Sequence, residues 1–128
     1  MILDTSAVVA LFLQEPGWER LAERLAATER AAIGAPTLAE AGLVLSARLR
    51  TDARGLLSRF LSEFQVDVVP FGEAHYAAAV DAWLRFGKGR HPAALNFGDC
   101  LSYAVARLAD HPLLCVGEDF ARTGLPLA

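Results

Sequence analysis

The chain has 128 residues, 54% of them hydrophobic, with 12 basic against 15 acidic side chains and a formal net charge of -3. That length buries about two thirds of the unfolded surface in one core, which predicts a single soluble domain over residues 1–128. The acidic balance excludes a typical basic nucleic-acid-binding module, and no apolar run approaches the roughly 20 residues that a membrane span requires.

Residues 1–3 read as a short buried strand, and Thr5-Ser6 open an apolar helix that ends at Gln14-Glu15-Pro16-Gly17. Asp4 interrupts the apolar start, no basic region precedes it and no small-residue cleavage site follows, so export is not expected and a cytoplasmic location is. A second helix covers residues 18–28, where Leu21 and Leu25 alternate with Glu19, Arg20, Glu23 and Arg24 at amphipathic spacing. Residues 31–35 give a second strand. Pro36-Thr37-Leu38-Ala39-Glu40 then predicts a helix start, with Thr37 as N-cap and Glu40 completing a capping box, running to residue 50.

Residues 52–64 give another helix, 66–69 a third strand and 72–85 a further helix. The segment Arg85-Phe86-Gly87-Lys88-Gly89-Arg90-His91 follows, the densest basic stretch and the home of the only lysine. In an acidic chain it is the candidate contact for phosphate. Asn96-Phe97-Gly98-Asp99 repeats the helix-start signature and opens a helix to residue 109, which His111-Pro112 breaks. Residues 113–116 form the fourth strand, followed by Gly117-Glu118-Asp119-Phe120. Cys100 and Cys115 make no C-x-x-C pair and read as two buried thiols in a reducing compartment.

Strands separated by helices imply parallel pairing, hence a three-layer α/β/α domain around a central, mostly parallel sheet of four to five strands. Ligands in such sheets sit beyond the carboxyl ends of the strands, where Asp4 and Asp119 fall. Glu40 and Asp99, at their helix starts, can join them. Each acid also has a purely structural reading: Asp4 as an N-cap, Glu40 and Asp99 as capping-box members, Asp119 as a solvated turn. Together they point to a cation, because two carboxylates about 4 Å apart repel by roughly 4 kcal/mol at a protein-like effective dielectric. Mg²⁺, or Mn²⁺, suits an all-oxygen donor set. His75 and His111 have no neighbouring second ligand in the sequence, so zinc is not expected.

Met-Ile-Leu-Asp-Thr-Ser-Ala at residues 1–7, Thr-Leu-Ala-Glu at 37–40, the run from Gly-Lys-Gly-Arg-His to Leu-Asn-Phe-Gly-Asp-Cys at 87–100, and Gly-Glu-Asp-Phe at 117–120 occur in order along the chain. With these motifs the chain resembles PIN-domain ribonucleases of the VapC toxin type. The resemblance implies a PIN-like fold and a catalytic quartet of Asp4, Glu40, Asp99 and Asp119, with Asp4, Asp99 and Asp119 holding the metal. Thr5, Ser6 and Asn96 would orient those carboxylates or a water. Lys88 and Arg90 would engage flanking phosphates of the RNA. Glu118, where related sequences often carry a neutral polar residue, leaves open which of Glu118 and Asp119 faces the metal.

The resemblance further implies hydrolysis of RNA by metal-activated water, leaving 5′-phosphate ends and no 2′,3′-cyclic phosphate. It implies an antitoxin partner seated in a groove near the first helices, and a homodimer. A housekeeping RNA-processing nuclease and a catalytically silent binding module of the same fold are the competing readings. A receiver domain fails because Val69 is followed by Pro70-Phe71-Gly72 where a phosphoacceptor aspartate belongs, and a dehalogenase-type phosphatase fails at Ser6.

Overall fold

The structure, a computed structural model, describes residues 1–128. In chain order the elements are β1 (Ile2–Leu3), α1 (Thr5–Leu13), α2 (Trp18–Ala27), β2 (Ala31–Gly34), α3 (Ala35–Leu49), α4 (Arg54–Glu63), β3 (Val66–Val69), α5 (Glu73–Phe86), α6 (Phe97–Ala109) and β4 (Leu113–Leu114), with a 3₁₀ helix at Phe120–Thr123. The four strands pair in parallel in the order β3-β2-β1-β4. The expected sheet is therefore present with four strands.

Side-chain alternation along β1 divides the core. Leu3 packs with Val8, Ile33, Leu45, Phe60 and Leu114 on the face carried by α1 to α4. Ile2 packs with Phe86, Leu95, Tyr103, Val105 and Leu113 on the face of α5 and α6. Both faces of the sheet are covered, so its central strands are apolar throughout. β1 joins the first residues of the chain to the last strand: Ile2 pairs with Leu113 and Leu3 with Leu114.

Most boundaries lie within a residue or two of those expected. The start of α3 is a correction. Thr37 is not its N-cap and Glu40 completes no capping box, because the helix begins at Ala35 directly from Gly34, which offers no side-chain cap. Pro36 explains this: its fixed φ and missing N–H suit the first helical turn, so the helix starts before Thr37. Gly34 is required there for packing, since a Cβ would stand 2.8 Å from Val105 Cγ2 of α6. β4 is also shorter than expected, ending at Leu114. The backbone N–H of Val116 leaves the ladder and donates to Ser6 Oγ at 2.9 Å.

Candidate active site

Asp4 follows the last residue of β1 and caps α1, so one residue both ends a strand and opens a helix. It is 5% exposed and both of its carboxylate oxygens accept hydrogen bonds. Oδ2 accepts from the Ser6 backbone N–H at 3.0 Å and the Ser6 hydroxyl at 2.6 Å, and Oδ1 accepts from the Ser102 hydroxyl of α6 at 2.5 Å. Three donors satisfy the buried charge, as burial requires. With its proton committed to Asp4, Ser102 is left to accept from the Thr37 hydroxyl of α3, 3.3 Å away. Asp4 is thereby tied to α1, α3, α6 and the segment after β4.

Glu40 lies in the second turn of α3, and its Oε1 accepts from the Thr5 hydroxyl on α1. Its carboxylate rests against Gly98 at the start of α6. Asp99 stands in the capping box that the sequence predicts: Asn96 Oδ1 accepts from the Asp99 N–H at 2.9 Å, and the Asn96 N–H donates to Asp99 Oδ2 at 3.1 Å. Thr5, Ser6 and Asn96 each orient one acid. The partners are Thr5 with Glu40, Ser6 with Asp4 and Asn96 with Asp99.

These residues converge on a cleft of about 300 Å³ lined by Asp4, Glu15, Glu40, Asn96, Asp99 and Val116, among others. The Asp99 carboxyl is pushed up to about 6 by burial, against the pull of the Asn96 backbone hydrogen bond and with the charges of Asp4, Asp119 and Glu40 adding to the rise. Asp119 is exposed, just before the 3₁₀ helix, and does not line the cleft, yet its charge reaches Asp99. Glu118 is not among the charges that raise Asp99, although it acts on Cys115.

Cys100 is buried and Cys115 only partly so, and both are free. Burial pushes both thiols up to about 11, helped by Asp99 at Cys100 and by Asp4, Asp99, Asp119 and Glu118 at Cys115. Neither is a thiolate near neutral pH. The cleft therefore offers carboxylate, hydroxyl and amide oxygens and no thiolate or imidazole. That donor chemistry fits a hard cation. No three acidic, histidine or cysteine side chains close into a ligand cage, and Mg²⁺ needs none: it keeps several waters and takes one or two carboxylates together with substrate phosphates.

The basic loop lies outside the cleft. Backbone hydrogen bonds from Lys88 N–H to Leu95 and from Leu95 N–H to Phe86 close it. Arg90 is anchored, its guanidinium 4.9 Å above the Trp83 ring and its Nε donating to the Leu84 carbonyl at 3.2 Å. Lys88 is exposed and makes no ion pair. His91 is used within the loop, accepting from the Ala93 N–H at 3.0 Å and standing edge-on to Phe86.

Two site residues escape sequence reading. Glu15 enters the cleft because Gln14, at φ 51, reverses the chain at the end of α1. Ser102 reaches Asp4 from one helical turn after Asp99, an i, i+3 spacing that places both on one face of α6.

A PIN-domain family model matches residues 1–125. Over 126 residues the chain is 50% identical to VapC ribonuclease Mb2004c of Mycobacterium bovis and to Ribonuclease VapC36 of Mycobacterium tuberculosis, covering 98% of this chain and 91% of each relative. Among solved structures, Mycobacterium tuberculosis VapC20, described as a sarcin-ricin loop cleaving toxin, superposes with a TM-score of 0.78 at 21% identity, covering 99% of this chain and 97% of that one. VapBC2 from Rickettsia felis, bound to a DNA fragment from its promoter, gives 0.78 at 20% identity over 99% and 96%. At such identities the solved structures attest the fold. The match over nearly the whole length, with relatives sharing half its residues, places the chain in the PIN-domain family, among the VapC ribonucleases.

Proposed function

We propose that this protein, acting as one domain in the cytoplasm, is the endoribonuclease toxin of a type II toxin–antitoxin pair. The observation that carries this reading is Asp4, buried at a strand end, hydrogen-bonded through both oxygens with acceptor capacity left on Oδ1, and close enough to Asp99 to oppose its ionisation. Asp4 and Asp99, with Asp119 at the rim, would hold Mg²⁺ or Mn²⁺. The bound cation supplies a lowered water pKa, a polarised phosphoryl oxygen and charge compensation for the leaving group.

The protein's own groups do the remainder. Ser6 and Ser102 hold the Asp4 carboxylate by hydrogen bonds, which would keep it aimed for a cation, and Asn96 would do the same for Asp99. Glu40, one oxygen held by Thr5, keeps its other oxygen to align the attacking water with the phosphorus. The ribose 2′-hydroxyl takes no part, so the products carry 5′-phosphates. Lys88 and Arg90 engage phosphates flanking the cut.

The antitoxin is assigned to the apolar groove beside α1, α2 and α4, about 270 Å³, whose lining includes Phe12, Trp18, Leu56, Phe60 and Phe64. Support comes from neighbours of the same fold solved as toxin–antitoxin complexes, one from Klebsiella pneumoniae at TM-score 0.73. A homodimer is assigned to the face of α3, α5 and α6, where Leu43, Tyr76, Val80, Trp83 and Phe97 are exposed, too many large apolar groups on one face for a free surface. No helix is long and apolar enough to cross a membrane.

The test is to incubate purified protein with total RNA and with sarcin-ricin loop RNA, in Mg²⁺ or in chelator, and to sequence the cleaved 5′ ends. Cleavage that needs the cation, leaves 5′-phosphates and vanishes in Asp4→Asn and Asp99→Asn is expected. Chelator-resistant cleavage or 2′,3′-cyclic phosphate ends would refute the mechanism. Growth arrest on expression, relieved by the product of the neighbouring gene, separates a toxin from a housekeeping nuclease.

A further inference from the structure

The second residue of α6 is glycine, and its neighbourhood gives the reason. A Cβ built on Gly98 would stand 2.6 Å from Glu40 Oε2, 3.0 Å from Oε1 and 3.1 Å from Cδ, and these are its three nearest atoms. The whole carboxylate, including the oxygen bonded to Thr5, occupies the space of the missing side chain. Gly98 does not have positive φ, so backbone conformation does not call for glycine there.

We propose that Gly98 is a positioning residue for the nuclease reaction: its lack of a side chain lets the Glu40 carboxylate stay bonded to Thr5 on the cleft wall while α6 packs against α3. This rests on the nuclease reading of the cleft. A clash with backbone would unfold the site, but this one falls on the far end of a flexible side chain. Glu40 also borders the open groove shared by Leu43 and Phe97, so it has room to swing away. Alanine at 98 therefore moves one carboxylate and leaves the fold in place.

The experiment compares the full chain with Gly98→Ala, Glu40→Asp and the double variant. Gly98→Ala should melt at or above the parent temperature, because alanine is favoured over glycine in a helix. Its KM for RNA should be unchanged and its kcat about 100-fold lower, the scale expected from a misplacement of about 1 Å. Aspartate at 40 withdraws the carboxylate by one methylene, so the double variant should cut RNA faster than Gly98→Ala alone. A folded Gly98→Ala with the parent kcat, or a double variant whose loss is the product of the single losses, overturns the proposal. If the parent itself cuts no RNA, the nuclease reading fails instead, and the positioning role is then read from the carboxyl ¹³C shift of Glu40. That shift should change in Gly98→Ala, and an unchanged shift overturns the proposal in that case too.

Discussion

Ser102 Oγ donates to Asp4 Oδ1 at 2.5 Å across 98 positions of sequence, and both residues are at most 5% exposed. Removing that hydroxyl strands a buried carboxylate oxygen. Ser102→Ala should cost about 1–3 kcal/mol of stability, measured by urea unfolding. It should also lower metal affinity or RNA cleavage by about 10- to 100-fold, as loss of a group orienting a metal ligand does. A variant as stable and active as the parent would show that the bond does not hold Asp4.

The raised Asp99 carboxyl has a pH signature in the metal-free protein. Folding favours the protonated form, so its stability contribution is full below the ordinary value of 3.8 and is lost as pH rises through about 6. Melting temperature without metal should decline across that window, and Asp99→Asn should remove the decline. Asp52, held at about 2 by the hydrogen bonds from Arg54, acts oppositely and in a lower window, losing its contribution as pH falls from 3.8 towards 2. Metal requires the ionised carboxylate, so Mg²⁺ affinity by calorimetry should rise with pH through about 6.

Lys88 and Arg90 are distinguishable because only Arg90 is anchored to the fold. Lys88→Ala should raise the RNA half-saturation concentration, leave melting unchanged and reduce the dependence of binding on salt by about one counterion. Arg90→Ala also removes the contact over Trp83 and should loosen the loop. Unchanged RNA binding at low salt in the double variant would detach this loop from the substrate.

Val80 is 44% exposed on the α5 face assigned to self-association. Val80→Asp places a charge within that face and should convert a dimer to a monomer in sedimentation, with little effect on the metal-free melting of the monomer at low concentration. An already monomeric parent would rule out the assignment.

The order of strands and helices was legible because apolar runs and capping signatures are local, and Asn96 with Asp99 behaves as its spacing predicts. The start of α3 departs from the sequence pattern because Thr37 and Glu40 also have capping-box spacing, and proline at the second helical position outweighs it. Thr37 instead serves a hydroxyl relay with Ser102, which no local pattern announces. Three of the four acids are brought to one cleft, while Asp119 lies outside its lining and a fifth acid, Glu15, joins. The basic loop was found by composition alone. Charge density in sequence says nothing about which way a loop is held, and Trp83 settles that for Arg90.

β1 is two residues long and lies between β2 and β4, Ile2 pairing with Ala32 on one side and with Leu113, more than a hundred residues later, on the other. Until β4 has been translated, nothing closes that side of β1, and Asp4 lacks both the Leu114 carbonyl that receives its N–H and the Val116 amide that steadies Ser6. The cleft is therefore complete only when the segment after β4 has folded back against β1 and α1.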